Sequence, residues 1–183
     1  MRHPLTLAVS ALALLLSGIA IGAGARGAAV EPFTPKGFIV EHEVFVDASP
    51  EDAFDAFTGD VRPWWDHHFS KEPKTLEIQP RPGGHFLEVF DDEGNGAVHA
   101  QVIHANRGRE LQFVGALGFA SQNVNLRMTH RVRFDEKDGR TRVRIDVHGV
   151  GEAGPAIEQM VQGVWKHFLS DRFAPYVNGT LDD

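Results

Sequence analysis

The sequence has no cysteine. That excludes a disulfide framework, a thiolate metal centre, a cysteine nucleophile and a lipid-modified cysteine at a mature N-terminus. There is no G-x-S-x-G, no P-loop and no dinucleotide fingerprint. Gly83-Gly84 stands alone, as a turn rather than a phosphate cradle. No H-E-x-x-H occurs and no carboxylate–histidine set repeats, so the ten histidines do not declare a metal site by spacing. Positive charge is in the minority: 18 Lys and Arg against 25 Asp and Glu, a net of −7. A chain of this sign repels phosphate backbones, which excludes nucleic acid as the expected partner. No internal repeat is present, and low complexity is confined to the start.

What is there begins with a leader. Arg2 and His3 precede a 17-residue, mostly apolar run from Leu5 to Ile21, and Ala23-Gly24-Ala25 fits an A-x-A cleavage site. That is the layout of a secretory signal peptide over residues 1–25. The alternative is an uncleaved anchor, but the run lies at the short edge of a span and Thr6, Ser10, Ser17 and Gly18 weaken it. Cleavage after Ala25 leaves 17 basic residues against 25 acids, a net of −8. The expected location is periplasmic or secreted, with no stable membrane association after cleavage. Residues 26–37 read as a flexible lead-in, 38–177 as one domain and 178–183 as a tail.

Within the domain, Val40, His42, Val44 and Val46 alternate with Glu41 and Glu43, the pattern of a half-buried strand. Ser49 then offers an N-cap, Pro50 a first helical position, and Ala53, Phe54 and Phe57 an apolar helix face. A second short helix is expected over Val61–Asp66. From Thr75 the pattern is β: "TLEIQP" and "HFLEVF" flank the turn "RPGG", and "DDEGNG" makes the next turn. "AVHAQVIHA" and "LQFVGALG" follow. Then Val124, Leu126, Met128, His130, Val132 and Phe134 alternate with Arg127, Arg131 and Arg133, and Thr141, Val143, Ile145 and Val147 alternate with Arg142, Arg144 and Asp146. The last element is a long helix with Ile157, Met160, Val161, Val164, Trp165, Phe168 and Leu169 on one stripe. Hairpin-linked strands with helices at the ends predict an α+β fold with an antiparallel sheet.

Five stretches carry a resemblance: "VDASPEDAFDAFTGDVRPWW", "RPGGHFLEVF", "GAVHAQVIHANRGRELQFVGALG", "GRTRVRIDVHGVG" and "GVWKHFLSDRFAPYV". In this order the chain resembles the START-like, or polyketide cyclase/dehydrase and lipid transport, superfamily. It is most similar to the branch of heat-shock-protein ATPase activator homologues. The resemblance spans Phe38–Val177. It implies a helix-grip fold: a curved antiparallel sheet of about seven strands, two short helices, and a long C-terminal helix over a cavity. It does not imply one activity, because function lives in the site rather than in the fold.

The segment "RPWWDHHFS", Arg62–Ser70, poses the sharpest local question. Neighbours on a helix point about 100° apart, so His67 and His68 are poorly placed to share an ion with Asp66, and no metal or cofactor is expected. Trp65 is expected to pack inward at a cavity rim, with Trp64 partly exposed. His42 and His130 fall on inward strand faces. Each reads as a core histidine with a satisfied ring, or as a polar group or base at a cavity wall. Glu88 is ambiguous because both faces of its strand are apolar, and the solvated orientation is preferred; His99 and Gln101 pose the same problem. The arginines of the last two strands form an outer stripe that Glu41 and Glu43 can meet. Asn178-Gly179-Thr180 is a sequon with no assigned role. The expected pocket comprises Trp65, Phe86, Phe113, Met128, His130, His42, Trp165 and Phe168. The expected function is an exported domain that binds a small hydrophobic ligand, lipid or aromatic. The alternatives are a cyclase- or hydrolase-like enzyme with His130 as general base, and a chaperone-regulating interaction domain.

Overall fold

The computed structural model describes residues 34–122 and 124–181; the leader, most of the lead-in, Asn123 and the last two residues lie outside the described residues. Among the described residues eight strands form a single sheet: β1 Lys36–Val46, β2 Gly59–Asp60, β3 Thr75–Ile78, β4 His85–Val89, β5 Gly96–Asn106, β6 Glu110–Val114, β7 Leu126–Lys137 and β8 Arg140–Gly151. The order across the sheet is β1-β8-β7-β6-β5-β4-β3-β2, every neighbour antiparallel. The chain meanders from β2 to β8, and β1 closes beside β8 rather than beside β7. The eighth strand, one more than expected, is the two-residue β2 at the edge.

Local chemistry accounts for the helices. α1, Pro50–Phe57, starts where the Ser49 hydroxyl accepts from Asp52 N at 3.1 Å, with Pro50 in the first turn. The second short helix expected over Val61–Asp66 is reduced to one turn. Trp64 N and Trp65 N both donate to Val61 O, at 3.1 and 2.8 Å, and the chain then extends. α2, Pro155–Lys166, runs into a π-helical stretch, His167–Phe173, and a last turn, α3, Ala174–Val177. The wider π turn places Phe168, Leu169 and Phe173 on the buried face together with Trp165. Among the described residues no helix is long and apolar enough to cross a membrane.

One core lies between the inner face of the sheet and the helices. β7 contributes Leu126, Met128, His130, Val132 and Phe134, and β8 contributes Thr141, Val143, Ile145 and Val147, all buried as the alternation predicts. At one end α1 closes the core: Phe57 packs edge-on to Phe134 and Phe173, at 5.9 and 5.2 Å between ring centres. Each fully buried side chain of this size contributes roughly 1.5–3 kcal/mol. Trp64 belongs to this cluster. It is fully buried, 5.1 Å from both Phe57 and Phe173, and donates Nε1–H to Ala56 O at 3.0 Å. The expectation of partial exposure is corrected, because one helical turn aims both tryptophans inward.

The outer face carries the arginine stripe. Arg144 bridges Glu41 and Asp146 at 2.8 and 3.0 Å, Arg133 meets Asp146 at 2.6 Å, and Arg131 meets Glu110 at 2.6 Å. Such pairs add little individually, but they leave the stripe largely neutralised by its own acids.

Candidate functional site

A cavity of about 270 Å³ lies between the sheet, α2 and the two loops at the sheet's mouth. Met128 of β7 and His99 of β5 form its floor. Val161, Val164, Trp165 and Phe168 form the helix wall, Trp65 and Phe69 one side, and the 3-10 turn Leu117–Ser121 with Gln122 the other. The exposed Met160 and the histidines His67 and His68 stand at the rim. Trp65 stacks flat on Phe168, ring centres 3.6 Å apart, and meets Phe86 edge-on at 4.9 Å. Leu117 sits in the left-handed region, at φ 49°, on this wall. That conformation is costly for a branched side chain.

The floor holds a buried polar pair that alternation alone did not place. Phe86 of β4 faces Ala100 of β5, while Leu87 faces Val98. His99 is therefore an extra residue in the ladder, a β-bulge. A bulge shifts the phase of the strand and re-aims a side chain. Here both His99 and Ala100 point inward, and His99 keeps 3% of its surface exposed. Glu88, two residues along β4 from Phe86, is fully buried, so the preferred solvated orientation is corrected. Its carboxylate accepts from Phe69 N at 2.9 Å, from Ser70 N at 2.8 Å and from His99 Nε2 at 2.9 Å. Burial alone raises its pKa, but the bonds from Ser70, Phe69 and His99 outweigh burial and hold it below the usual carboxylate range. Burial lowers His99, against the opposing pull of Glu88. The pair is thus an ionised carboxylate and a neutral imidazole. Phe69 stacks on the His99 ring at 4.7 Å, and Phe86 packs against it at a tilt, at 4.8 Å. Gly115 is required behind the bulge, since a Cβ there would sit 2.3 Å from His99 O.

Of the expected pocket residues, the structure brings Trp65, Met128, Trp165 and Phe168 to the cavity. Phe86, Phe113 and His130 are buried but do not line it. The His130 ring stacks on Phe113 at 4.8 Å and donates Nε2–H to Gly115 O at 3.3 Å, while its Nδ1 has no partner among the described residues. Full burial pushes its pKa down to about 4, against a small upward pull from Gly115 O. His42 lies elsewhere: it is half-buried and bonds Ser170 at 2.8 Å through Nε2, under the π turn. Burial, then Lys166, lowers its pKa. Gln101 is exposed. Phe69, Leu117 and Phe119 line the cavity from loops, where no periodicity marks them.

The fold has relatives. Residues 47–178 match the family described as Activator of Hsp90 ATPase homolog 1-like protein. The chain belongs to that family. The structure is similar to that of an uncharacterized protein from Rhizobium leguminosarum, with a TM-score of 0.57, 16% identity, and 79% of this chain and 96% of that one covered. A protein of unknown function from Staphylococcus aureus gives 0.55, 14%, 80% and 96%. The Aha1 dimer from Colwellia psychrerythraea gives 0.51, 17%, 78% and 98%. At these identities the likeness establishes the helix-grip fold. No curated protein matches the chain.

In this member of the Activator of Hsp90 ATPase homolog 1-like family, the rim carries a polar knot. Asp66 accepts from His67 Nδ1 at 2.6 Å and from His167 Nε2 at 2.9 Å, and Arg172 stands 3.5 Å from the same carboxylate. Burial raises the Asp66 pKa, but the two histidines outweigh it and the net shift is downward. Asp66, His67 and His167 each offer a ligand atom within 4.8 Å of the others. His167, 101 residues away, replaces the neighbour His68, whose ring bonds Ser70 O. A cation at this point would compete with the Arg172 guanidinium for Asp66.

Proposed function

We propose that the protein binds a small apolar molecule in the cavity between the sheet and α2. The supporting observation is the cavity itself, about 270 Å³ and walled by Trp65, Phe69, Met128, Trp165 and Phe168. A void of about 150 Å³ accepts benzene, and ligand sites run from about 300 Å³ upward. The occupant is therefore one or two rings, or a short acyl chain, and not a whole two-chain lipid. Burial of such a group gains about 25 cal/mol per Å² of apolar surface. His130 is not placed to serve as the base of a cyclase or hydrolase in this cavity, because its ring is fully buried and does not line it.

We also infer that the protein is exported, on the strength of Arg2, the apolar run Leu5–Ile21 and the Ala23-Gly24-Ala25 site. Organic extraction of the purified protein followed by mass spectrometry tests the first reading. It should release a small aromatic or acyl compound near one per chain; an empty extract together with no uptake of a hydrophobic dye sinks it. Cell fractionation with intact-mass measurement tests the second and should find a chain starting at Arg26 outside the cytosol. An uncut cytosolic chain refutes export and returns weight to a chaperone-regulating role, which the family description suggests.

A further inference from the structure

We propose that His99, held by Glu88, is the hydrogen-bonding anchor of the cavity, and that the ligand is an uncharged aromatic molecule with a hydroxyl donor, a phenol. This rests on the reading of the cavity as a binding site and names the ligand class for it.

The protein breaks a regular ladder to bring His99 inside: the bulge between Phe86 and Leu87 gives up regular pairing at that residue. The ring is then fixed from three directions. Phe69 stacks on it, Phe86 packs against it at a tilt, and Nε2 meets the Glu88 carboxylate at 2.9 Å. An ionised carboxylate only accepts, so Nε2 carries the proton and Nδ1 keeps a lone pair. Burial keeps the ring neutral. Among the described residues no group bonds Nδ1, and His99 lines the cavity. His99 thus brings an acceptor without a protein partner to the floor of a mostly apolar chamber, the arrangement that selects a donor on an otherwise apolar ligand.

Charge narrows the class further. Among the described residues no Lys or Arg lines the cavity, and the Glu88 carboxylate bonds the far nitrogen of His99. A ligand carboxylate or phosphate placed at the His99 floor, away from His67, His68 and Gln122 at the cavity's edge, would be desolvated beside the Glu88 charge. The walls are planar: Trp65, Phe69, Trp165 and Phe168 present ring faces and edges to the space. They favour a flat aromatic occupant.

Equilibrium dialysis of the full chain against naphthalene, 2-naphthol and 2-methoxynaphthalene tests this. The wild type should hold 2-naphthol roughly 3- to 10-fold tighter than either other probe, the range one buried hydrogen bond supplies. In His99→Phe the ratio of 2-naphthol to naphthalene should fall to about one. Glu88→Gln is an independent arm. Its amide oxygen keeps the Phe69 and Ser70 N–H groups, so its NH₂ donates to His99 Nε2 and the ring proton moves to Nδ1. That variant should bring 2-naphthol and 2-methoxynaphthalene to within about twofold of each other, because a phenol oxygen accepts from Nδ1–H as an ether oxygen does. It decides the matter even if His99→Phe does not fold. Equal binding of the three probes by the wild type overturns the anchor while the apolar cavity stands. An unchanged preference for 2-naphthol over 2-methoxynaphthalene in Glu88→Gln also overturns it. Failure of all three probes to bind overturns the binding-site reading as well.

Discussion

His130 should make this protein acid-sensitive by a calculable amount. Its ring is fully buried against Phe113 and Trp165, 4.8 and 5.5 Å away. Burial holds its folded pKa at about 4, against 6.5 for the free imidazole. Above pH 6.5 both folded and unfolded forms are neutral and the group adds nothing. Between 6.5 and 4 the unfolded imidazole binds a proton that the folded one refuses. Stability is therefore lost as pH falls through that window and levels off below it. At pH 4.5 the loss from this residue is roughly 2–3 kcal/mol. Replacing the ring by one of similar shape that cannot titrate, His130→Phe, removes this dependence. Urea denaturation of wild type and variant at pH 7.5 and 4.5 measures it. The wild type should lose roughly 2–3 kcal/mol more than the variant between the two pH values. His42 and His99, whose pKa values burial also lowers, are common to both proteins and cancel. Equal losses in the two proteins would refute the assignment. At neutral pH such a ring is a poor base, so the same measurement bears on any catalytic use of His130.

Other substitutions probe the floor and the mouth. Glu88→Ala strands the N–H groups of Phe69, Ser70 and His99, and should cost roughly 2–4 kcal/mol. Hydrogen exchange at the Phe69 and Ser70 amides should speed up by at least tenfold, and unchanged protection would show that Glu88 does not hold the loop. Gly115→Ala drives a Cβ against His99 O and Ala100, so a loss of about 1–3 kcal/mol is expected; a neutral outcome in thermal melts would mean the bulge yields freely. Trp64→Ala should cost about 3–5 kcal/mol by denaturant titration with little direct effect on the cavity, since Trp64 is buried in the α1 cluster and does not line it. Trp65→Phe should change uptake of a hydrophobic dye more than stability. If both tryptophan variants alter stability and uptake alike, the division of roles between them is wrong.

Much of the fold is legible along the chain. β7 and β8 each have one face in the core and one in water, so the two-residue alternation from Leu126 to Phe134 and from Thr141 to Val147 reads their burial directly. Ser49 and Pro50 mark the start of α1 because capping is a local matter. The stripe from Ile157 to Leu169 marks α2 and its continuation, although Met160 emerges exposed at the cavity rim because the helix runs past the edge of the core. The inward-facing aromatics Trp165 and Phe168 follow from the same helical stripe.

Glu88 and His99 are illegible for a different reason. β4 has Phe86 and Glu88 on one face and Leu87 and Val89 on the other, so composition does not say which face is wet. The phase of β5 changes at His99, and a bulge is a mismatch between two strands rather than a property of either. The donors that keep Glu88 ionised, Phe69 and Ser70, lie 19 and 18 residues before it on a loop without periodicity. His167 reaches Asp66 across 101 residues, where sequence proximity had pointed to His68.

The sequence by itself determined the element order, the inner faces of the regular strands, the capped helix and the resemblance to a helix-grip family. All of these follow from short-range pattern. Tertiary structure decided which polar groups meet inside. It buried Glu88 against His99, sealed His130 away from the cavity, moved His42 under the π turn and set both tryptophans inward. Pattern along a chain records how often a residue must avoid water. It does not record which distant partner makes that burial affordable for a charge.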